Sequence, residues 1–228
     1  MEKEFMDFLK WVEKTPNVYL VLAGDLINNA TKSSVSNCFE EKMRPSDQKK
    51  MMAKLLAPVK DRILCAVQGN HEARSRKDGD DCPLFDIMAK LDLEHLYREN
   101  MAFVKIHIGN NRIDGTRNPT YILTVVHGTG GGTLSGGSLN RNERFGYALD
   151  GVDALITAHT HKPLFSIPSK IRVNPTKNIA QLVPFTVLTA TSWLCYGGYA
   201  AKKMLLPSSH KLQKMVLCGT RKEITIIT

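Results

Sequence analysis

The stretch Ile63-Leu64-Cys65-Ala66-Val67-Gln68-Gly69-Asn70-His71-Glu72 decides how the rest of the chain is read. A short apolar run rich in branched residues predicts a buried strand, and the glycine after it lets the backbone turn where the strand stops. Asn70, His71 and Glu72 then stand at the strand's carboxyl end, the edge at which open α/β sheets bind ligands. An amide oxygen, an imidazole and a carboxylate there can ligate a metal, shuttle a proton and orient the histidine. A plain polar turn is the competing reading of these residues taken alone.

Three other stretches repeat the design. Val18-Tyr19-Leu20-Val21-Leu22-Ala23 runs into Gly24-Asp25, Tyr121-Ile122-Leu123-Thr124-Val125-Val126 runs into His127-Gly128, and Ala154-Leu155-Ile156-Thr157-Ala158 runs into His159-Thr160-His161. In an extended segment residues i and i+2 face the same way, so the pattern places His159 and His161 on one side. A single histidine after a strand is more often packed or on the surface. Here four of the seven histidines fall at such ends, which favours one shared site. Carboxylate, amide and imidazole donors without a neighbouring thiolate suit Mn²⁺, Fe or Zn²⁺ better than Ca²⁺ or a structural zinc site.

The ordered set Gly24-Asp25, Gly69-Asn70-His71-Glu72, His127-Gly128 and Ala158-His159-Thr160-His161 resembles the calcineurin-like metallophosphoesterase superfamily, with the motifs spanning residues 24 to 161. The resemblance implies an α/β/β/α sandwich, two mixed β-sheets flanked by helices, with residues 1–228 as a single phosphoesterase domain. It also implies two divalent ions that activate a hydroxide and neutralise the phosphoryl oxygens. Carried over position by position, Asp25 would bridge both ions. Asn70, His127 and His159 would complete one, His161 would belong to the other, and His71 would give a proton to the leaving oxygen. The sequence departs from the pattern twice. No Asp-x-His triplet precedes Asp25, and Ala158 stands where the last motif usually has glycine. On the first departure the chain reads as an amino-terminally shortened form with one full ligand set, one well-held ion and impaired hydrolysis.

A chain of 228 residues, 43% hydrophobic and 23% charged, is long enough for a sizeable core and shows no pressure toward disorder. The formal charge is +9 and the pI near 9.3. Such an excess attracts phosphorylated partners and makes nucleic acid a candidate partner beside a phosphate-ester substrate; a solubilising surface is the alternative. Arg74, Arg141 and Arg144 flank the motifs and are candidate phosphate contacts, whereas Arg76 reads as solvated. Five cysteines without a Cys-x-x-Cys pair fit a reducing interior. The amino terminus is mixed in charge, and no apolar run is long enough to cross a membrane, so the expected location is cytoplasmic without membrane contact. No motif speaks to oligomeric state.

Helical spacing predicts a helix over 4–13 and a second through Met51, Met52, Leu55 and Leu56, with Ser46 as its cap and the methionines as core. The latter returns the chain to 63–67 as a parallel crossover. Residues 28–34 read as a polar loop, 73–81 as a charged loop and 84–93 as a helix. The runs 103–108 and 121–126 suggest a hairpin-like antiparallel pair with a long connection, and the glycine-dense segment 128–137 a mobile loop. Strands are expected over 185–191 and 223–228, with Trp193 and Tyr196 at the sheet's end. His95, His107 and His210 fit no motif. The sequence therefore points to a metal-dependent phosphoesterase acting on mono- or diesters. A metal-binding relative of weak activity, a basic nucleic-acid-binding protein and purely structural histidines remain the alternatives.

Overall fold

The computed structural model of the chain describes residues 2–32, 34, 39, 41–109, 117–130, 134–194, 196–197, 201 and 206–228. Cys38, Cys195, the 110–116 part of the strand connection and residues 131–133 of the glycine-dense segment lie outside them. The chain divides into two compact units, Met1–Ala102 with Trp193–Pro207, and Phe103–Ser192 with Ser208–Thr228.

The first unit is built on a three-stranded sheet of order β1-β2-β3. Helix α1 (Glu2–Lys14) has acidic residues in its first turn and Lys14 in its last, complementing the helix dipole, and it buries Leu9 and Val12. Trp193 packs on this helix, 5.3 Å from the Phe5 ring and 5.5 Å from Phe8, rather than at a sheet end; Tyr196 is exposed. Strand β1 (Leu20–Leu22) leads through α2 (Pro45–Leu56) and a 3-10 segment (Ala57–Arg62) to β2 (Ile63–Val67). The strands are parallel with Leu22 opposite Ala66, the crossover expected from sequence. Pro45 occupies the first turn of α2 and Arg44 its cap, so Ser46 is not the cap. A proline's fixed φ and missing N–H suit the first helical position, which moves the start upstream. The expectation that Met51 and Met52 serve the core holds only for Met52; Met51 is 42% exposed.

Helix α3 (Asn70–Gly79) replaces the expected charged loop. Its residues carry no apolar stripe, but Glu, Ala, Arg and Lys favour helix, and Arg76 and Lys77 fall in the last turn. Helix α4 (Pro83–Ala89) is shorter than expected, because the chain has turned by Asp92, which has a positive φ of 61°. Strand β3 (Tyr97–Arg98) then pairs parallel to β2. The core joins Leu9 and Val12 to Leu56, Ile63, Ala66, Leu84, Ile87 and Met88.

The second unit holds a five-stranded mixed sheet of order β4-β5-β6-β10-β7. Strands β4 (Met101–His107) and β5 (Thr120–Val126) are hydrogen-bonded neighbours joined by a long connection, as the sequence suggested. Edge strand β4 alternates in burial along much of its length, whereas β6 (Ala154–Thr157) and β10 (Thr186–Thr189) are buried throughout, as strands covered on both faces must be. β5, β6 and β10 run parallel and β7 (Leu164–Ser166) antiparallel. Two ribbons complete the unit: β8 (Ser169–Asn174) with β9 (Ile179–Pro184), and β11 (Lys214–Leu217) with β12 (Ile224–Ile227). Tyr121 is fully buried, and its hydroxyl accepts the Glu223 N–H at 2.9 Å, tying the β11–β12 turn to the sheet.

Helix α5 (Ser135–Ala148) begins inside the segment read as a loop. It escapes an apolar-period search because its buried residues are Ser138, Asn142 and Gly146, a stripe of small and polar side chains at helical spacing. Gly146 lets the helix approach the sheet: a Cβ there would meet Phe185 Cε2 at 2.5 Å. Asn142 Nδ2 donates to the hydroxyls of Thr157 and Thr189, both at 2.9 Å, at the ends of β6 and β10. The mixed five-stranded sheet, the parallel three-stranded sheet and the flanking helices together give the α/β class expected.

Candidate metal centre and proton donor

In the first unit the carboxyl ends of β1 and β2 lie side by side, and the chain leaves both in tight turns. Gly24 and Asp25 follow β1 with φ of 85° and 55°. Asp25 Oδ1 accepts the main-chain N–H of His71 at 2.9 Å, satisfying one of the donors that a helix start leaves open. Gly69 caps α3 with an ordinary φ of −90°. It is required for space rather than for a special turn: a Cβ would overlap Asp25 N and Oδ1 and lie 2.7 Å from Glu72 Oε2.

Glu72 is completely buried, and its carboxylate does not orient the histidine. Oε2 accepts the N–H groups of Asp25 at 2.9 Å and Gly69 at 3.0 Å, while Oε1 accepts that of Leu26 at 2.6 Å. One side chain thus clamps both strand-end turns. Burial, followed by the charge of Asp25, pushes its carboxyl above the usual range, against the pull of main-chain N–H groups that include those of Asp25 and Leu26.

Asn70 opens α3 with an exposed side chain. The His71 ring stands between two oxygens, Nδ1 at 3.0 Å from the Asn28 carbonyl and Nε2 at 3.8 Å from Asp25 Oδ2. A carbonyl oxygen can only accept, so Nδ1 carries a proton, and Nε2, on the Asp25 side, is the nitrogen whose protonation can change. Asn29, fully buried with a φ of 45°, donates Nδ2 to the His71 carbonyl at 2.9 Å and to Ser75 Oγ at 2.8 Å. Part of the expected polar loop is therefore pinned under the first turn of α3. Sequence reading missed Asn29, and its place amid polar loop residues offers no signal for it.

In the second unit His127 follows β5 directly and is buried; His159 and His161 follow β6 and are half-buried. His127 Nε2 lies 3.1 Å from His159 Nδ1, with the rings edge to face at 82°. The Ala158 N–H donates to the His127 carbonyl at 3.0 Å, locking the two strand-end turns together. The expectation that His159 and His161 share a face through strand alternation does not hold. β6 ends at Thr157, and both histidines have positive φ, 66° and 57°, so the period of two stops before reaching them. Left-handed backbone at non-glycine residues is uncommon and gathers at functional sites.

The spacing of the histidine pair fits a divalent metal ion. Two imidazole nitrogens each about 2.0–2.1 Å from one ion, at tetrahedral to octahedral angles, stand roughly 2.9–3.4 Å apart. The observed 3.1 Å lies in that window, and both donors are of the type borderline divalent ions prefer. Without an ion the same separation suits an N–H···N bond.

The arginines divide. Arg74 is half-buried and turns Nη1 toward the Asn28 carbonyl at 3.3 Å, next to the His71 ring. Arg141 donates Nη1 to the Thr129 carbonyl at 2.7 Å and so holds the turn after His127. Arg144 is exposed. Arg76 is ion-paired with Glu99 at the surface, in keeping with a solvated role.

A family model described as calcineurin-like phosphoesterase matches residues 2–163. That family is one of metal-dependent phosphoester hydrolases. The chain belongs to the calcineurin-like phosphoesterase family. No curated protein and no solved structure gave a significant match. Among the described residues, no helix is long and apolar enough to cross a membrane.

Proposed function

We propose that residues 1–228 act as one phosphoesterase domain that hydrolyses phosphate mono- or diesters at a divalent-metal centre. Asp25, Asn70, His127 and His159 would hold one ion, with His161 a ligand of a second, more weakly held one; Mn²⁺, Fe and Zn²⁺ suit these donors. When bound, such ions polarise phosphoryl oxygens and make water nucleophilic at neutral pH. The observation that carries the reading is the 3.1 Å approach of His127 Nε2 to His159 Nδ1, on turns already locked to one another.

The chain's own residues supply the rest. His71, its Nδ1 proton held on the Asn28 carbonyl, delivers a proton from Nε2 to the leaving oxygen. Asp25 sets the start of the helix that carries it. Arg74 lies beside that ring and is the best placed of the three arginines to bind a phosphoryl oxygen, while the +9 charge favours polyanionic substrates, nucleic acid included.

A metal-binding relative of low turnover is the second reading, in which the paired imidazoles of His127 and His159 hold an ion without hydrolysis. The two readings separate on hydrolysis of p-nitrophenyl phosphate and bis(p-nitrophenyl) phosphate with Mn²⁺, before and after chelation. Turnover that needs metal and falls in His71→Ala supports the enzyme. Metal binding without turnover supports the relative.

A further inference from the structure

Both strand ends that carry the histidine pair are tied to one helix through two consecutive residues. Arg141 Nη1 of α5 donates to the Thr129 carbonyl at 2.7 Å, two residues past His127, and Asn142 Nδ2 donates to the hydroxyl of Thr157, two residues before His159. The turn after His127 has little shape of its own. Gly128 and Gly130 have φ of 88° and 107°, a region that glycine enters and leaves at no steric cost, so a contact from outside must fix it. Arg141 is such a contact. Its guanidinium lies so close over Gly130 that a Cβ there would fall 1.5 Å from Nη1. A charge-assisted bond of this kind is roughly twice as strong as a neutral one.

At the other strand end Asn142 is only 8% exposed, and its amide bridges Thr157 and Thr189, whose hydroxyls lie 3.0 Å apart. A buried polar cluster gains little net stability over an apolar one, because each of its bonds replaces one to water. What it adds is register, since bonded donors and acceptors admit one arrangement of helix on sheet where alkyl side chains admit several. Gly146, one turn further along α5, lets the helix sit close against Phe185 and keeps the sheet within reach of these short side chains.

We propose that α5 sets the spacing of the His127 and His159 imidazoles, with Arg141 and Asn142 as positioning residues for the metal centre. Arg141 acts through the turn after His127 and Asn142 through the strand end before His159. The inference rests on the reading of that pair as ligands of one ion. Ligand distances must hold to within about 0.2 Å, so a turn that drifts further than this loses its share of the ion. The sign of the effect separates positioning from other roles for Arg141. By Coulomb attraction and repulsion alone, removing a cation near a metal site tightens the binding of a divalent ion. Losing a phosphate contact changes KM and leaves the affinity for metal where it was. Losing a positioning residue weakens that affinity.

The test titrates the full chain with Co²⁺ alone, whose visible absorption reports the number and geometry of its ligands. The parent is compared with Arg141→Met, which keeps the length of the side chain without the guanidinium, and with Asn142→Leu, which keeps the volume without the bonds. Each variant is expected to bind Co²⁺ about 10–100-fold more weakly than the parent, with an altered spectrum. Arg141 is exposed, so its variant folds even where Asn142→Leu does not. Affinity equal to the parent's or tighter, in Arg141→Met or in a folded Asn142→Leu, overturns the assignment while leaving the metal centre intact. If the parent itself binds no Co²⁺, the metal reading fails, and crystal structures of the metal-free parent and Arg141→Met judge the helix by itself. A separation of His127 Nε2 from His159 Nδ1 that stays at 3.1 Å in the variant overturns the positioning role, and a pair that has parted sustains it.

Discussion

Asp25 Oδ1 accepts the His71 main-chain N–H at 2.9 Å, so a residue expected to ligate metal also closes the first turn of the helix that carries the proton donor. The two roles separate by substitution. Asp25→Asn keeps an oxygen acceptor for the N–H, whereas Asp25→Ala removes it. Loss of a capping acceptor costs about 1 kcal/mol. Denaturant unfolding of the metal-free chain should find Asp25→Ala less stable by about that amount and Asp25→Asn within a few tenths, while both variants lose metal affinity. Equal stability of all three would show that the bond contributes nothing.

Gly69→Ala should damage the same place by another route. Its φ is ordinary, but the added methyl would overlap Asp25 and crowd the Glu72 carboxylate. Overpacking of this kind costs roughly 1–3 kcal/mol, and the Asp25 turn must move to relieve it. The expected outcome is a destabilised protein with weakened metal binding. An alanine variant as stable as the parent would contradict the close approach.

How much of this was legible in the sequence varied with the kind of signal. The apolar runs before Asp25, His71, His127 and His159 are period-free strands ending in polar residues, and they marked the strand ends correctly. Helix α5 was not legible, because its buried face of Ser138, Asn142 and Gly146 carries no hydrophobic period. Nor was α3, whose helix formers are nearly all polar. At the site, the missed features are long-range side-chain bonds to backbone. Glu72 clamps three N–H groups, two of them more than 40 residues away in sequence, and Asn29 reaches across to α3. No local pattern encodes such partners.

His71→Ala should leave metal in place and slow hydrolysis by about 10²–10⁴, the usual worth of general acid help. The deficit should grow as the leaving group becomes a poorer one, because a stable phenolate needs little protonation and an alkoxide needs much. A series of aryl and alkyl esters reads this directly. A uniform loss across the series would reassign His71 to binding.

The buried Cys65 thiol gives a prediction in pH. Burial pushes it up to about 12, with the charge of Arg98 pulling the other way. An unfolded thiol ionises near about 8.5. Between those values the folded chain keeps a proton that the unfolded chain has lost, so stability is full below the lower value and falls as pH rises toward the upper. At pH 10 the loss is about 2 kcal/mol. Unfolding at pH 8 and pH 10 should therefore show a steeper decline for the parent than for Cys65→Ala. Parallel declines would place the thiol in contact with water.

The most direct test of the account is the metal content of the purified chain, measured by elemental analysis after equilibration with Mn²⁺ and desalting. About one ion per chain is predicted, lost in His127→Ala and in His159→Ala and retained in His71→Ala. If the His127 and His159 variants keep the ion as firmly as the parent, the paired imidazoles are not its ligands, and the proposed centre is wrong.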